Sequence, residues 1–444
     1  MTTPPDDLGG ATIAIVNWRD PWHPQAGGAE RYAWEMARGL AARHATVLFL
    51  TARAPAQARR EHRDGIEIVR LGGRFTVYPL VLGWLLLRRR PGRRRCDAVL
   101  DCQNGIPFFT PCVLPSRVPV LCVVHHVHTS QFALHLPGWL ALAGRLLEGP
   151  AARLVYQRHT CVAVSPSTVT AMRSRLRWKG DIQIIPNGTV VPVIRPVPPN
   201  AGASERARPL TLEGTPVPVV CPGPPDADAA QQPRPLIPNG TVVPVIPPVR
   251  PDAEPPGPLE QTGPLQLVWV GRLVAHKRPE LILPVAERLG ESVVIDVIGR
   301  GPGEPALAAA IARRGLAGAV RLRGFLSDAD RDAIVARSVL HLNTSQGEGW
   351  GLCVLEAAAL GVPTVAYDVE GLRDAVRDGT TGWLARDGEP IEDVVERALK
   401  ELGDPARRAA VAAACRQWAA QFSWESSVAQ MARLIRAALD RRAP

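Results

Sequence analysis

The chain has 444 residues, 46% of them hydrophobic and 21% charged. At ~150 residues per domain that is room for two or three domains, and the composition excludes global disorder, a collagen repeat or a small disulfide scaffold. The net charge of +10 is uneven: residues 1–186 hold 24 Lys and Arg against 12 Asp and Glu, and residues 187–444 hold 28 against 30. Only three of the 52 cations are lysines, which reads as a composition bias rather than as a function.

Thr12–Asn17 is an apolar, β-branched run that predicts a strand, and Gly27-Gly28 follow it in a loop. Ala29–Leu40 then places Tyr32, Ala33, Met36, Ala37 and Leu40 at helical spacing, and Val47–Thr51 predicts the next strand. This is a βαβ unit. The apolar run Val77–Leu87 ends in Arg88, Arg89, Arg90, Arg93, Arg94 and Arg95. It is too short to span a bilayer as a helix, which needs ~20 residues. It suits either a core helix whose last turn carries cations or a helix lying on an anionic membrane surface. No aromatic residues interleave with these arginines, so nucleic acid is not expected as a partner. Ala98–Leu100, Val120–Val124 and Cys161–Val164 predict further parallel strands, and His125-His126-Val-His128 follows the second of them.

Proline marks the middle of the chain. Residues 186–264 hold 22 of the 44 prolines and no aromatic residue, the composition of an extended or disordered connector. IPNGTVVPVIRPV at 185–197 returns as IPNGTVVPVIPPV at 237–249, a single local duplication rather than a solenoid period. The first copy directly follows the predicted strand Gln183–Ile185 and is expected to form the joint. The expected organisation is a first domain at 1–186, a linker at 187–264, a second domain at 265–422, and a terminal helix from Ser423 at 423–444, crossing back to the first domain.

In the second half, strands are predicted at Leu267–Val270, Val293–Ile298, Val320–Arg323, Val339–Asn343 and Thr364–Tyr367. Helices are predicted at Pro279–Leu289, Pro305–Arg314, Asp328–Arg337 and Leu352–Leu360. Continuous apolar strands alternating with helices mean parallel sheets covered on both faces. The fold class is therefore α/β, with two doubly wound Rossmann-like domains facing across a cleft. The eight cysteines include no CxxC pair and read as reduced thiols. The N-terminus MTTPPDDLGG is polar rather than a signal peptide, so a cytoplasmic location is expected, with a peripheral contact at the inner face of the membrane. The Asn-Gly-Thr sequons at Asn187 and Asn239 then read as chance.

Four motifs carry candidate chemistry. In Glu348-Gly-Trp-Gly-Leu-Cys-Val-Leu-Glu356 the first carboxylate sits on a loop and the second inside a helix. The glycines admit a ligand to the backbone, the helix start suits a phosphate, and the carboxylates suit sugar hydroxyls. A capped helix after an ordinary glycine loop would look the same. Gly271-Arg-Leu-Val-Ala-His-Lys277 places Arg272 and Lys277 beyond a strand, where cations suit a diphosphate, although such cations are often merely solvated. Gly27-Gly28-Ala-Glu30 is a weaker phosphate-loop signal, since turns need glycine anyway, and Gly299-Arg-Gly301-Pro-Gly303 is weaker still. The histidines at 125, 126 and 128 lack the further ligands and outer partners of a metal site. A polar group in the cleft is the better reading.

Together these motifs resemble the family 4 retaining glycosyltransferases of the GT-B fold. The resemblance runs from GGAE, VVHH, VSPSTVTAM and IPNG in the first half to GRL…K, EGWGLCVLE, Tyr367-Asp-Val-Glu-Gly-Leu-Arg-Asp and Asp378-Gly-Thr-Thr-Gly in the second. It implies that Glu356 holds the nucleotide ribose and that Glu348 contacts the donor sugar near the reaction centre. Arg272 and Lys277 would neutralise the donor diphosphate. Gly27, Gly28, Trp350, Gly351 and Leu352 would complete the donor site, with Gly28 and the amides of Gly351 and Leu352 on phosphate or sugar oxygens. His125 would stand beside the anomeric carbon. Neither cofactor nor metal is implied, because the nucleotide-diphosphate-sugar is a substrate. The expected activity is hexosyl transfer to a lipid-linked or glycan acceptor. The competing readings are glycosylation of a soluble natural product and, from another class, a nucleotide-sugar binding or epimerising protein. The long insert at the joint departs from the family pattern.

Overall fold

The structure is a computed structural model and describes residues 6–88, 95–129, 132, 137–189 and 263–441. In the first half, β1 (Thr12–Val16), β2 (Thr46–Thr51), β3 (Arg60–Arg63), β4 (Ile66–Arg70), β5 (Ala98–Gln103), β6 (Val120–Val124), β7 (Cys161–Ala163) and β8 (Ile182–Ile184) form one sheet. Its order is β3-β4-β2-β1-β5-β6-β7-β8. Every pairing is parallel except β3 with β4.

Alternation along the strands sends successive side chains to opposite faces. Ile13, Ile15 and Phe49 pack under α1 (Gly28–Ala41) with Tyr32, Met36 and Leu40. Ala14, Val16, Leu48 and Leu50 pack on the other face, against α2 (Val77–Leu87) and against α4 (Ala152–Tyr156). The chain reaches α4 from α3 (Gly138–Leu146) through a π turn at Leu147–Ala151. α5 (Pro166–Ser174) begins at Ser165, whose hydroxyl accepts from Thr168 N at 3.0 Å.

The second half repeats the plan. β9 (Leu265–Val270), β10 (Val293–Ile298), β11 (Val320–Gly324), β12 (Leu340–Asn343), β13 (Thr364–Tyr367) and β14 (Gly382–Ala385) run in the order β11-β10-β9-β12-β13-β14, all parallel. Helices α6 (Ile282–Leu289), α7 (Glu304–Arg313), α8 (Asp328–Arg337), α9 (Leu352–Ala359), α10 (Leu372–Ala375), α11 (Ile391–Leu402), α12 (Pro405–Ala419) and α13 (Trp424–Asp440) complete it. In both sheets the strand order reverses beside the first strand of the half: β1 lies between β2 and β5, and β9 between β10 and β12. Such switch points open a crevice at the carboxyl ends of the strands. The glycine loop at Gly27 follows β1 and the Arg272–Lys277 loop follows β9.

The two doubly wound sheets are the expected architecture. Pro279–Leu281 is a separate 3-10 turn before α6, and β8 lies one residue before its expected place at Gln183–Ile185. The β3–β4 hairpin, β14, α3, α4, α5, α10, α11 and α12 add to the expected elements.

At the joint, Thr189 pairs with Ser423, its N–H donates to Phe422 O at 2.8 Å, and Ser427 Oγ donates to Pro186 O at 2.8 Å. α13 then lies on α1, where Val428 fills the space left by Gly39. Residues 185–189 of the first repeat copy thus meet the last helix, while residues 190–197 and the whole second copy lie outside the described residues. Among the described cysteines, Cys112 is exposed and Cys353 half-buried, the rest are buried, and none forms a disulfide.

Candidate active site at the two switch points

The loop after β9 carries both expected cations. Lys277 ends a 3-10 turn and its Nζ forms an ion pair with Glu348 Oε1, which also accepts from Ser345 Oγ at 2.7 Å. Burial alone would raise the Glu348 carboxyl, but Lys277 and Ser345 outweigh it and hold the group below its ordinary value. Arg278, in a left-handed conformation, donates from Nε to Thr344 O at 2.9 Å and from Nη2 to Ser345 O at 3.2 Å. It therefore ties the cation loop to the carboxylate loop. Arg272 donates to Gln25 O of the first half at 3.1 Å. Among the described residues no carboxylate lies within ion-pair distance of it.

Glu356 lies inside α9, and its carboxylate pairs with Arg31 of α1, in the other half. Burial pushes this carboxyl up, against the pull of Arg31 and of Arg331 on α8. The eight-residue spacing therefore delivers two carboxylates with different partners. Gly351 caps α9 at φ 84°, a conformation other residues adopt at a cost. Leu352 is the first helical residue, so its N–H lacks an intrahelical acceptor by geometry.

At Gly349 the halves approach closely, since a Cβ there would overlap the carbonyl oxygen of His125. Thr168 Oγ1 of α5 lies 3.5 Å from both His125 O and Gly349 O. Ser167 N donates to Asp374 Oδ2 at 2.9 Å, and Arg175 pairs with Glu370. The VSPSTVTAM segment thus supplies contacts between the halves.

On the first-half wall, Gly27 N donates to Glu30 Oε2 at 2.8 Å, and Gly28 has open space where a Cβ would be. Glu30 is therefore engaged in shaping the loop. The Arg272 guanidinium lies 3.6 Å from a Cβ built on Gly27, so the two switch-point loops face each other. His125 is buried and its ring stands edge-on to Tyr32 at 5.1 Å. Burial pushes its imidazole down to about 3, with a smaller contribution from His128, so it is neutral at pH 7. His126 is driven to about 3 for the same first reason, and its ring lies 3.6 Å from a Cβ built on Gly347, beside the Glu348 loop. The backbone N–H of His128 donates to Glu148 Oε1 at 2.6 Å, and its ring Nδ1 lies 2.9 Å from His126 O. Among the described residues no group of three or more His, Cys, Asp or Glu could hold a metal ion.

The Trp350 indole is buried in the first core, 5.0 Å from the Phe422 ring. The Gly299–Gly303 run braces its neighbour: Gly303 N donates to Leu273 O at 2.9 Å and Leu273 N donates to Arg300 O at 3.0 Å. Arg31, Ser345, Thr168, Arg278 and Arg331 went unnoticed in the sequence. Arg278 and Ser345 stand beside motif residues, which is a usable signal, whereas nothing local links Arg31 to a carboxylate 325 positions away.

Two switch-point crevices facing each other across one compact unit define the GT-B class of glycosyltransferase. The chain belongs to it: residues 26–191 match the model described as Glycosyltransferase Family 4, and residues 252–418 match Glycosyl transferases group 1. A D-inositol 3-phosphate glycosyltransferase of Thermobispora bispora is 33% identical over 39% of this chain and 44% of its own length. An α-D-kanosaminyltransferase of Streptomyces kanamyceticus is 32% identical over 30% of this chain and 36% of its own. These matches span less than half the length of the relatives. Among solved structures, a sucrose-phosphate synthase of Thermosynechococcus elongatus superposes with TM-score 0.69 at 18% identity, over 96% of this chain and 98% of that one. Anabaena HepE, solved with UDP-glucose, gives 0.64 at 16%, over 96% and 99%. These two likenesses establish the fold. No helix among the described residues is long and apolar enough to cross a membrane.

Proposed function

We propose that the protein moves a hexose from a nucleotide-diphosphate-sugar to a lipid-linked or glycan acceptor, with retention at the anomeric carbon and without a metal. The observation that carries this reading is the cluster of Arg272, Lys277 and Glu348 at the second switch point, facing the Gly27–Gly28 loop of the first. Arg272, Lys277 and the start of α9 would take the diphosphate charge that a metal otherwise neutralises. Glu356 would accept from the ribose hydroxyls and Glu348 from the sugar hydroxyls.

In the proposed step the acceptor hydroxyl attacks the anomeric carbon on the face from which the diphosphate departs. The new glycosidic C–O bond forms, the sugar–phosphate C–O bond breaks, and a leaving phosphate oxygen takes the hydroxyl proton. The protein positions the reactants and stabilises the charge developing on the leaving group. Neutral, buried His125 would contribute its ring as a polar wall beside that carbon rather than as a cation. Closure of the two halves completes the site.

The lipid-linked acceptor is favoured over a soluble one by the basic first half and the arginines at 88–95. Of these, Arg88 and Arg95 are described, and Arg89, Arg90, Arg93 and Arg94 lie outside the described residues. The test is a donor panel measured without acceptor, reading calorimetric binding and release of free nucleoside diphosphate. Binding and slow hydrolysis of one donor are expected. A chain that neither binds nor hydrolyses any donor refutes the transferase reading, and binding with epimerised product selects the other class.

A further inference from the structure

An arginine-rich pocket of about 910 Å³ opens at the carboxyl ends of β2 and β4, outside the cleft residues described above. It is lined by the exposed Arg53, Arg59 and Arg60, the buried Arg70, and Leu80 and Trp84 of α2. Arg70 is engaged with the buried Asp20 and with Glu61, and Arg60 stands 3.8 Å from Glu67. Arg53 and Arg59 are exposed and, among the described residues, pair with no carboxylate. The pocket therefore offers two uncompensated guanidinium groups beside an apolar wall, chemistry that suits a phosphate attached to a hydrocarbon body.

The surface around the pocket has the same character. Phe75, Leu80, Leu86 and Leu87, at and before α2, are exposed, and Arg88 stacks over Trp84 at 4.2 Å. On the helical stretch that runs from α3 through the π turn into α4, Trp139, Leu142 and Leu146 are exposed on α3 while Ala141 and Gly144 are buried, and Leu147 and Leu154 are exposed further on. α2 and α4 bury their inner sides in one core cluster, so their outer sides face the same way. These nine are three-quarters of the twelve large apolar residues exposed among the described residues. Such clustering marks an interaction surface.

Charge says what the surface meets. Residues 71–180 hold fifteen Arg and Lys against Asp97, Asp101 and Glu148. Asp101 and Glu148 are fully buried, and Asp97 accepts from Thr12 N at 2.7 Å. The segment that carries these exposed leucines and tryptophan is rich in cations and almost free of outward carboxylates, which is complementary to an anionic bilayer rather than to a mixed-charge protein surface.

We propose that the outer side of α2, α3 and α4 is a bilayer-contact face and that Arg53 and Arg59 in the pocket at its edge hold the phosphate of an anionic lipid head group. This rests on the lipid-linked acceptor reading and supplies the surface on which such an acceptor would be met.

The test is co-sedimentation of the full chain with phosphatidylglycerol–phosphatidylcholine vesicles and with phosphatidylcholine alone, with no donor present. Calorimetry with glycerol 3-phosphate in the absence of vesicles accompanies it. The wild type should select the anionic vesicles. Arg53→Gln with Arg59→Gln should weaken that binding about 25-fold, at roughly fivefold per arginine near an anionic surface. Leu142→Glu with Leu154→Glu, both exposed, should abolish it while leaving the melting temperature unchanged. Equal sedimentation with both vesicle types, or leucine variants that bind as the wild type does, would overturn the proposal. Tight glycerol 3-phosphate binding that needs the arginines but not the leucines would overturn it too, assigning the pocket to a soluble phosphorylated ligand. Because vesicle binding is read without donor, a chain that sediments but binds no nucleotide-sugar fails the transferase reading alone.

Discussion

Glu348 and Glu356 come from one nine-residue box, yet different halves of the molecule hold them. Glu348 is set by Lys277 and Ser345 of its own half, whereas Glu356 reaches across to Arg31 on α1. Their carboxyls are accordingly pushed in opposite directions, Glu348 down and Glu356 up. The first carboxylate is organised whether or not the cleft is closed. The second has Arg331 of its own half nearby but makes its ion pair with Arg31 only while the halves are together, so that pair registers closure. Two acids at a fixed spacing need not be a matched pair.

The largest expected effect separates the halves by acid. His125 and His126 of the first half and His341 of the second titrate near 3 because burial disfavours their charged forms. In the unfolded chain they titrate near 6.5. The unfolded state therefore holds more protons throughout that interval, and stability falls as pH drops from about 6.5 towards 3. Each histidine contributes on the order of 1.4 kcal/mol per pH unit. With two of the three, the first half should lose hydrogen-exchange protection at a higher pH than the second. Simultaneous loss, or a stability independent of pH between 6 and 4, would break the assignment.

Next comes Lys277→Met. It strips the preset carboxylate of its cation and the proposed site of a diphosphate contact, so turnover should fall by about 10²–10³, in line with loss of one preorganised charge donor. A change under threefold in kcat would exclude Lys277 from the reaction. Glu356→Ala should weaken donor binding by roughly 1–3 kcal/mol, the loss of a charge-assisted hydrogen bond, read by calorimetry. Unchanged affinity would remove Glu356 from the ribose.

What was legible followed from local rules. The strands were continuous apolar runs, and the motif loops sat after them because parallel sheets put loops there. β3 escaped because Arg-Glu-His-Arg has no apolar alternation, and pairing with β4 alone makes it a strand. α11 and α12 did carry signals, an apolar stripe in the first and the Asp404–Pro405 start in the second. At the site, Arg272, Lys277, Glu348 and Glu356 were readable as residue types, but which cation meets which acid was not. Arg31 with Glu356 is a contact of two folded halves, and the burial of Trp350 depends on Phe422 arriving from beyond α12.

The smallest expected effect tests the opening contrast most directly. Arg31 and Glu356 keep 31% and 16% of their side-chain exposure, against 16% and 15% for Lys277 and Glu348. A partly solvated pair is worth about 0.2–1 kcal/mol in a double-mutant cycle. Breaking a more enclosed pair strands a charge and costs more. The cycle Arg31→Met with Glu356→Gln should therefore give a coupling below about 1 kcal/mol in thermal stability, smaller than that of Lys277→Met with Glu348→Gln. Because Arg31 acts through closure, its single variant should raise KM with kcat nearly unchanged, whereas Lys277→Met should lower kcat. Equal couplings and equal kinetic signatures would mean that both acids are held alike and that the distinction between a preset and a closure-dependent carboxylate is wrong.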